Sequence, residues 1–212
     1  MAPLIPKRSG DRSPDRSGAA FDLPLATAIE LLRGDSITLD QIAQAARLDS
    51  IAEAAFRVSC DSPADWLRAL LARHDPTARF AEALDQAQGE VAEDLLRSSI
   101  RAVLATAQTQ RDWLALAALE AERYQGGTLN ALVGALLPIA NALLARLKAT
   151  NALRPIPDWL IARALSSLLI GFVASESALP AGLQWAARLM PARMWADGLT
   201  DILLYGILED KS

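Results

Sequence analysis

The sequence predicts an all-α protein, and three observations support this. Ala and Leu are abundant, whereas aromatic residues make up only 5% of the 212 residues; strands favour β-branched and aromatic side chains, and helices favour Ala and Leu. Apolar residues recur at i, i+3, i+4 and i+7 through long segments, and no run has the pattern of a strand. Cap residues, prolines and glycines separate these segments, as expected for helix boundaries.

Composition limits the class of protein further. Hydrophobic residues make up 52% and charged residues 22%, which is enough apolar material for a core and excludes a fully disordered or collagen-like chain. A single Cys cannot form an intramolecular disulfide, and one Cys with one His argues against a Cys/His zinc site. We therefore expect a cytoplasmic protein without a metal or cofactor. The net charge of −4 creates no global basic field.

The first 20 residues predict a disordered basic tail. They carry one Lys and three Arg among Pro and Ser, with no apolar run of the kind that a secretory signal needs. A second interpretation is a basic arm that touches DNA phosphates. The uncharged residues 126–145 include Asn130, Pro138 and Asn141, so we expect a core helix there rather than a membrane span.

Short helices are predicted before residue 76. The first spans residues 21–32 with Asp22 as its cap and Pro24 in its first turn. The second spans 39–46 behind Ser36 or Thr38, and the third spans 51–58 behind Asp49 or Ser50. A fourth begins at Ser62-Pro63-Ala64-Asp65, where a cap precedes proline at the first helical position, and Asp75-Pro76 should break it.

Long helices are predicted over the rest of the chain. They span residues 91–106, 112–124, 128–150, 158–175 and 191–208, with a loop or short helix between 179 and 190. Gly126-Gly127 should end the second of them. Pro138 should kink the third, since it removes one backbone donor and crowds the Gly134 carbonyl.

The segment from Ile37 to Ser50 has the pattern of a helix-turn-helix. Ile42, Ala43 and Ala46 should face inward, and small side chains there let two helices cross closely. The segment resembles the tetracycline-repressor (TetR) family, whose motif is Thr-x-x-x-Ile-Ala-x-x-Ala-Gly-Val-Ser. The chain keeps the residues Thr38, Ile42, Ala43, Ala46 and Leu48, with Asp49 in place of Ser. Segments 111–124, 129–154 and 195–208 also look like the family's sixth, seventh and closing helices, so the resemblance covers roughly residues 21–210.

The helix-turn-helix is degenerate compared with the family pattern. Arg47 stands where the family has Gly in the turn, and an L-residue can adopt φ > 0 there at some cost. The usual Tyr-x-x-Phe after the turn is not reproduced, and the Lys that opens the fourth helix is absent. The resemblance implies a DNA-binding domain over residues 21–75 and an effector-binding and dimerisation domain over 76–212. It also implies a homodimer that represses transcription and responds to a small hydrophobic effector.

Five residues are candidates for contact with double-stranded DNA: Thr38, Gln41, Arg47, Ser50 and Arg57. Between Asp22 and Asp75, however, five arginines stand against nine carboxylates, a net charge of −4. Phosphate neutralisation supplies most nonspecific affinity for DNA, so this segment should bind DNA weakly on its own. Two alternatives follow. In the first, these five residues are only the solvated face of a small helical bundle. In the second, the protein has the TetR fold but does not bind DNA, and binds a hydrophobic small molecule or a protein instead.

The second domain contains candidates for a ligand pocket and a dimer interface. A pocket needs apolar walls and a few polar groups, and the candidates are Trp113, Tyr124, Asn141 and Phe172. The alternative is a plain core. Helices that are apolar on more than one face need more than one partner layer, and a two-fold interface between protomers would provide it. The interface candidates are Ala164, Ser167, Gly171, Trp195, Leu199, Ile202 and Gly206; the alternative is burial within one chain.

Catalysis has little support in the sequence. His74 is the only His and lies near a helix end, and Cys60 has no His with which to form a dyad elsewhere. Gly126-Gly127 is a helix stop and not a phosphate-binding loop. We therefore expect a protein that is not an enzyme.

Overall fold

The computed structural model describes residues 20–34, 36–150 and 156–161, together with 163, 164, 167, 194, 197, 198 and 200–202. Throughout this described part, helices are the only regular secondary structure, in agreement with the predicted fold class. The chain divides into two compact units, Met1–Arg73 and His74–Ser212. We call the first unit the head.

The head contains four short helices: α1 (Leu25–Leu32), α2 (Leu39–Ala45), α3 (Ser50–Ser59) and α4 (Pro63–Arg73). The second unit contains α5 (Thr77–Asp85), α6 (Ala92–Thr109), α7 (Arg111–Tyr124) and α8 (Thr128–Ala149). Residues 158–161 are also helical, and the amide groups of Leu160 and Ile161 donate to the carbonyl of Pro157, as expected for a helix opened by that proline.

Side-chain caps explain where α2, α3 and α4 begin. Thr38 and Gln41 form a reciprocal capping box, in which the Gln41 amide donates to Thr38 Oγ1 and the Thr38 amide donates to Gln41 Oε1. Asp49 Oδ1 accepts from the amides of Ile51 and Ala52. Ser62 Oγ accepts from the amide of Asp65 at 3.2 Å. Of the predicted alternatives, Thr38 and not Ser36 caps α2, and Asp49 and not Ser50 caps α3; Ser62 caps α4 as predicted.

The start of the first helix was predicted wrongly. The helix α1 begins at Leu25, not at residue 21, and Pro24 occupies its N-cap position without a side-chain hydrogen bond. Asp22 does not cap it. Its carboxylate pairs instead with Arg73 at the end of α4, with 2.9 Å between Asp22 Oδ2 and Arg73 Nη2. The local cap signal was outweighed by an ion pair that is distant in sequence.

The core of the head forms around α4. Trp66 is fully buried, and its indole Nε1 donates to the Ala20 carbonyl at 2.8 Å. Ala20, the last residue of the predicted tail, is itself fully buried. Phe56 of α3 is also fully buried and packs edge-on against Phe21, with 5.8 Å between the ring centroids. This core holds α3 by its inner face and leaves the opposite face to solvent.

One helix, α5, was not predicted from the sequence. It begins just after the predicted break at Asp75-Pro76, where Asp75 Oδ1 accepts from both the amide and the hydroxyl of Thr77. Its one fully buried side chain is Phe80, and it packs against both α6 and α8. With nine residues and a single large buried side chain, α5 is too short to give a clear periodic pattern.

The junction between α7 and α8 differs in detail from the prediction. The helix α7 does end before Gly126, but the left-handed residue that ends it is Gln125, at φ 52°. The helix α8 continues through Pro138. In the described part of the chain, it is the one helix that is long and apolar enough to span a membrane, and only 17% of its most apolar window is buried. It packs against α5, α6 and α7 within the second unit.

Candidate functional site

The turn between α2 and α3 is a tight Schellman-type turn. The amide of Leu48 donates to the Ala43 carbonyl at 3.0 Å, and the amide of Arg47 donates to the Gln44 carbonyl at 3.0 Å. Arg47 lies between them at φ 53°, the left-handed region that favours glycine. The expectation of a positive φ at this position is confirmed. Ile42 and Ala43 face the core, while Ala46 is half-buried.

Replacing Arg47 by Gly should stabilise the head by about 0.5–1 kcal/mol. Glycine removes the steric cost of the left-handed conformation, and part of that gain is lost because glycine makes the unfolded chain more flexible. Arg47→Ala is the matched control, since it removes the same side chain but keeps the strain. Urea unfolding would measure both variants, and equal stability for Gly and Ala at this position would contradict the prediction.

The five residues predicted to contact DNA are all exposed on the head. Three of them already make hydrogen bonds within the chain: Thr38 and Gln41 in the capping box, and Arg57 with two carboxylates. Because Gln41 Oε1 is used in the box, the free polar atom of this side chain is the amide nitrogen, a donor suited to a phosphate. Arg47 makes no ion pair within the described part of the chain and is free to meet an anion.

Arg57 is held by carboxylates on both helices of the motif. Its Nη2 contacts Asp40 of α2 and lies 2.8 Å from Glu53 Oε1, one turn earlier on α3. The hydrogen bond to Glu53, followed by the hydrogen bond to Asp40, raises the pKa of the Arg57 guanidinium. This arrangement neutralises the cation that α3 would present to DNA. Arg57 is a candidate from the sequence alone, but its pairing with Asp40 could not be predicted, because the two residues lie 17 positions apart.

The predicted pocket residues occupy different environments. Trp113 of α7 is buried, Tyr124 at the end of α7 is half-buried, and Asn141 of α8 is exposed. Phe172 lies outside the described residues. Trp113 is therefore enclosed in the core of the second unit, while the Asn141 side chain faces solvent within a single chain. A cavity shared by these residues stays a prediction.

Glu120 is a buried carboxylate whose position was not expected from the sequence. It is fully buried on α7, and its Oε2 accepts from the amide of Thr128, the first residue of α8, at 3.2 Å. Both Gln125 and Gly126 donate their amides to its backbone carbonyl. The carboxylate fills the space beside Gly126, where a Cβ atom would overlap it. The first amides of a helix have no partner within the helix, and Glu120 supplies one for Thr128, so it fixes the start of α8 relative to α7.

The predicted dimer residues are only partly described. Ala164 is half-buried, and Ser167 and Ile202 are exposed, while Gly171, Trp195, Leu199 and Gly206 lie outside the described residues. Large apolar side chains are exposed in the same stretch of sequence: Trp159, Leu160, Met194 and Ile202. Two ion pairs anchor the last helical segment on α6, Arg97 with Asp201 at 2.9 Å and Arg101 with Asp197 at 2.7 Å.

The described residues contain no group of three or more His, Cys, Asp or Glu side chains that could hold a metal ion. Cys60 is buried at the end of α3, and burial, together with the nearby Asp65 and Asp61, raises the pKa of its thiol. The thiol is therefore protonated at neutral pH, and it is the thiolate that acts as a nucleophile or metal ligand.

Comparison with known proteins identifies the fold. No protein-family model and no curated protein matches the chain. A solved structure of a protein of unknown function from Rhodococcus sp. RHA1 is similar at a TM-score of 0.57 and 18% identity, covering 90% of this chain and 96% of that one. A member of the TetR transcriptional regulator family from Streptomyces coelicolor A3 is similar at a TM-score of 0.51 and 18% identity, covering 85% and 87%. The chain thus has the all-helical fold of a TetR-type regulator.

Proposed function

We propose that this chain is a ligand-responsive transcriptional repressor that binds double-stranded DNA as a homodimer in the cytoplasm. The observation that carries the proposal is the helix-turn-helix geometry of α2 and α3. Capped at Thr38 and Asp49 and joined through Arg47, the two helices leave the outer face of α3 exposed, as a recognition helix requires. The likeness in fold to a TetR-family regulator supports the same function.

The mechanism we propose is a two-state equilibrium. A dimer must hold its two recognition helices about 34–36 Å apart to enter successive major grooves. A small hydrophobic effector bound in the second unit, near Trp113 and Tyr124, would favour a dimer state with a different spacing. The effector acts only through its difference in affinity for the two states.

Binding of the full chain to a random-sequence duplex tests the proposal. Fluorescence anisotropy at about 50 mM and 200 mM salt should give an affinity that falls steeply with salt, since released counterions drive phosphate contact. A folded dimer that does not bind the duplex at the lower salt would refute the DNA-binding function.

Releasing Arg57 should strengthen DNA binding. In the double variant Asp40→Asn, Glu53→Gln, the guanidinium loses both carboxylate partners and can reach a phosphate. We expect nonspecific affinity at low salt to rise roughly tenfold, and the salt dependence to steepen by about 0.9 for each additional phosphate that the protein neutralises.

The control for this prediction is Glu82→Gln, Asp85→Asn on α5, which makes the same change in net charge on the second unit. An equal gain in affinity for both double variants would show that net charge, and not Arg57, is responsible. Anisotropy titrations over a range of salt concentrations measure both quantities.

The dimer should depend on Ile202. This side chain is 70% exposed in a single chain, and its neighbour Asp201 is paired with Arg97 of α6. Ile202→Glu would bury an uncompensated charge in the interface, which costs about 3–5 kcal/mol. We expect the dissociation constant of the dimer in sedimentation equilibrium to rise by at least about 100-fold. Val58→Glu, at a site on the head that is 86% exposed, should leave the dimer intact; a monomer from both variants, or from neither, would contradict the assignment.

A second function is favoured by the acidity of the head. The neutralised Arg57 and the net charge of −4 between Asp22 and Asp75 fit a TetR-fold protein that has lost DNA binding and binds a hydrophobic small molecule or a protein. Two results together would support this function over the repressor function: the chain binds no DNA duplex, and apolar ligands raise its melting temperature.

A further inference from the structure

The outer face of α3 carries an exposed apolar stripe, made of Ile51, Ala54, Ala55 and Val58. We call these four residues the α3 stripe. Their spacing is i, i+3, i+4 and i+7, so they lie on one side of the helix. Ile51 is 75% exposed and Val58 is 86% exposed, and both alanines are exposed as well. Surface positions on a helix ordinarily carry polar residues, and this face of α3 does not.

Packing within the head does not explain the α3 stripe. The opposite side of α3 supplies its contacts to the core, through Ala52 and Phe56. A protein partner is also a poor fit, because a stable protein interface covers about 800 Å² on each side. Four small or medium side chains on a helix of 10 residues offer far less than this area. The major groove of B-DNA, in contrast, admits a single α-helix.

Charges around the α3 stripe are compensated within the head. Asp49 caps the first turn of α3, and Asp40 and Glu53 pair with Arg57. Polar groups that can meet phosphates flank the α3 stripe at its start, Ser50 just before it and Arg47 in the preceding turn, and both are exposed. The arrangement places apolar groups at the centre of the face and hydrogen-bond donors at its edge, which suits contact with bases between two phosphate backbones.

We propose that the α3 stripe reads thymine methyl groups in the major groove, so that the operator half-sites contain A·T pairs at the positions facing Ile51 and Val58. This inference rests on the proposed DNA-binding function and specifies its ligand. Side chains of Ile, Val and Ala cannot form hydrogen bonds with base edges, whereas the C5-methyl group of thymine is an apolar feature of the groove. Transferring one methyl group from water into an apolar contact strengthens binding by about fourfold.

The experiment uses the full chain and two forms of one duplex. A duplex is first selected by the protein from a randomised pool. Its dissociation constant is then measured by anisotropy with thymine, and again with 2′-deoxyuridine at every thymine position of the half-sites. Deoxyuridine keeps base pairing and lacks only the methyl group. We expect the deoxyuridine duplex to bind at least roughly tenfold more weakly, since each half-site presents two methyl groups to the α3 stripe.

Variants assign the effect to the α3 stripe. Ile51→Ser with Val58→Ser should weaken binding to the thymine duplex and leave binding to the deoxyuridine duplex nearly unchanged, so the two duplexes become equivalent. Val91→Ser, an exposed valine on the second unit, is the matched control and should preserve the preference for thymine. The measurement on the unaltered protein does not depend on the folding of any variant.

The outcomes separate this inference from the proposed function. A selected duplex that binds equally well with thymine and with deoxyuridine overturns methyl reading and leaves the repressor function standing. A pool from which no duplex is enriched overturns both. Serine variants that keep the preference for thymine while losing self-association would assign the α3 stripe to a protein contact and overturn the inference.

Discussion

Replacing Trp66 by Ala is expected to destabilise the head by about 3–5 kcal/mol, the range observed when a large buried aromatic side chain is truncated. Trp66 is fully buried, and its indole nitrogen supplies the hydrogen bond to the Ala20 carbonyl. The substitution therefore leaves both a cavity and a buried acceptor that has lost its donor. Typical domains have only about 5–15 kcal/mol of stability, so the head should lose a third or more of its stability, and DNA binding should weaken at temperatures where the head begins to unfold.

Urea unfolding followed by circular dichroism measures this effect. Trp66→Phe should cost much less, because it keeps most of the apolar volume and loses mainly the hydrogen bond, worth about 1 kcal/mol. Trp159→Ala, which removes a tryptophan that is 66% exposed, is the control and should change the stability of the isolated chain by no more than about 0.5 kcal/mol. Similar costs for residues 66 and 159 would contradict the assigned role of Trp66.

Replacing Glu120 by Ala should destabilise the second unit by about 2–4 kcal/mol. The substitution leaves a cavity between α7 and α8 and removes the acceptor for the Thr128 amide, and an unsatisfied buried donor costs about 1–3 kcal/mol. Glu120→Gln should cost less, since its amide oxygen can still accept from Thr128. Thermal unfolding should therefore give a higher melting temperature for the Gln variant than for the Ala variant.

A double-mutant cycle with Gly126 tests the contact directly. Gly126→Ala should destabilise the unaltered protein, because its Cβ atom would overlap the Glu120 carboxyl group. The same change should cost much less in the Glu120→Ala background, where the overlapping group is gone. Gly127→Ala is the matched control, since a Cβ atom at that position meets nothing within 4 Å. Additive effects of residues 120 and 126 would rule out this packing.

The sequence predicted those features of the fold that depend on neighbouring residues. The caps at Thr38, Asp49 and Ser62 each act within a few residues. The left-handed turn at Arg47 was expected from the resemblance to the TetR motif, which has Gly at this position. The short helix α5 escaped prediction because its stability comes from packing against α6 and α8. Local patterns carry no information on such contacts.

The candidate site likewise contains residues that the local sequence predicts and contacts that only the fold decides. The helix-turn-helix pattern was enough to identify five exposed residues on the head, because the caps, the turn and the outer face of its second helix meet solvent in that motif. The partners of Arg57 could not be foreseen in full, since Asp40 reaches it across a turn whose geometry decides the contact. Glu120 was overlooked for a related reason. A charged residue in a helical pattern is expected at the surface, and only the fold of the α7–α8 junction encloses it.

The hydrogen bond from Trp66 to Ala20 also has a kinetic consequence. It joins residues 46 positions apart, and the Asp22–Arg73 pair joins residues 51 apart, whereas the caps of α2 and α3 close over two or three residues. Closing a long loop costs more chain entropy than closing a short one, so contacts distant in sequence slow folding. The capped turns of α2 and α3 should consequently form first. The head should reach its native packing only when α4 binds the segment that precedes α1, through the Trp66–Ala20 and Arg73–Asp22 contacts. Variants of Trp66 should then chiefly accelerate unfolding, while variants of the Thr38 cap should chiefly slow folding.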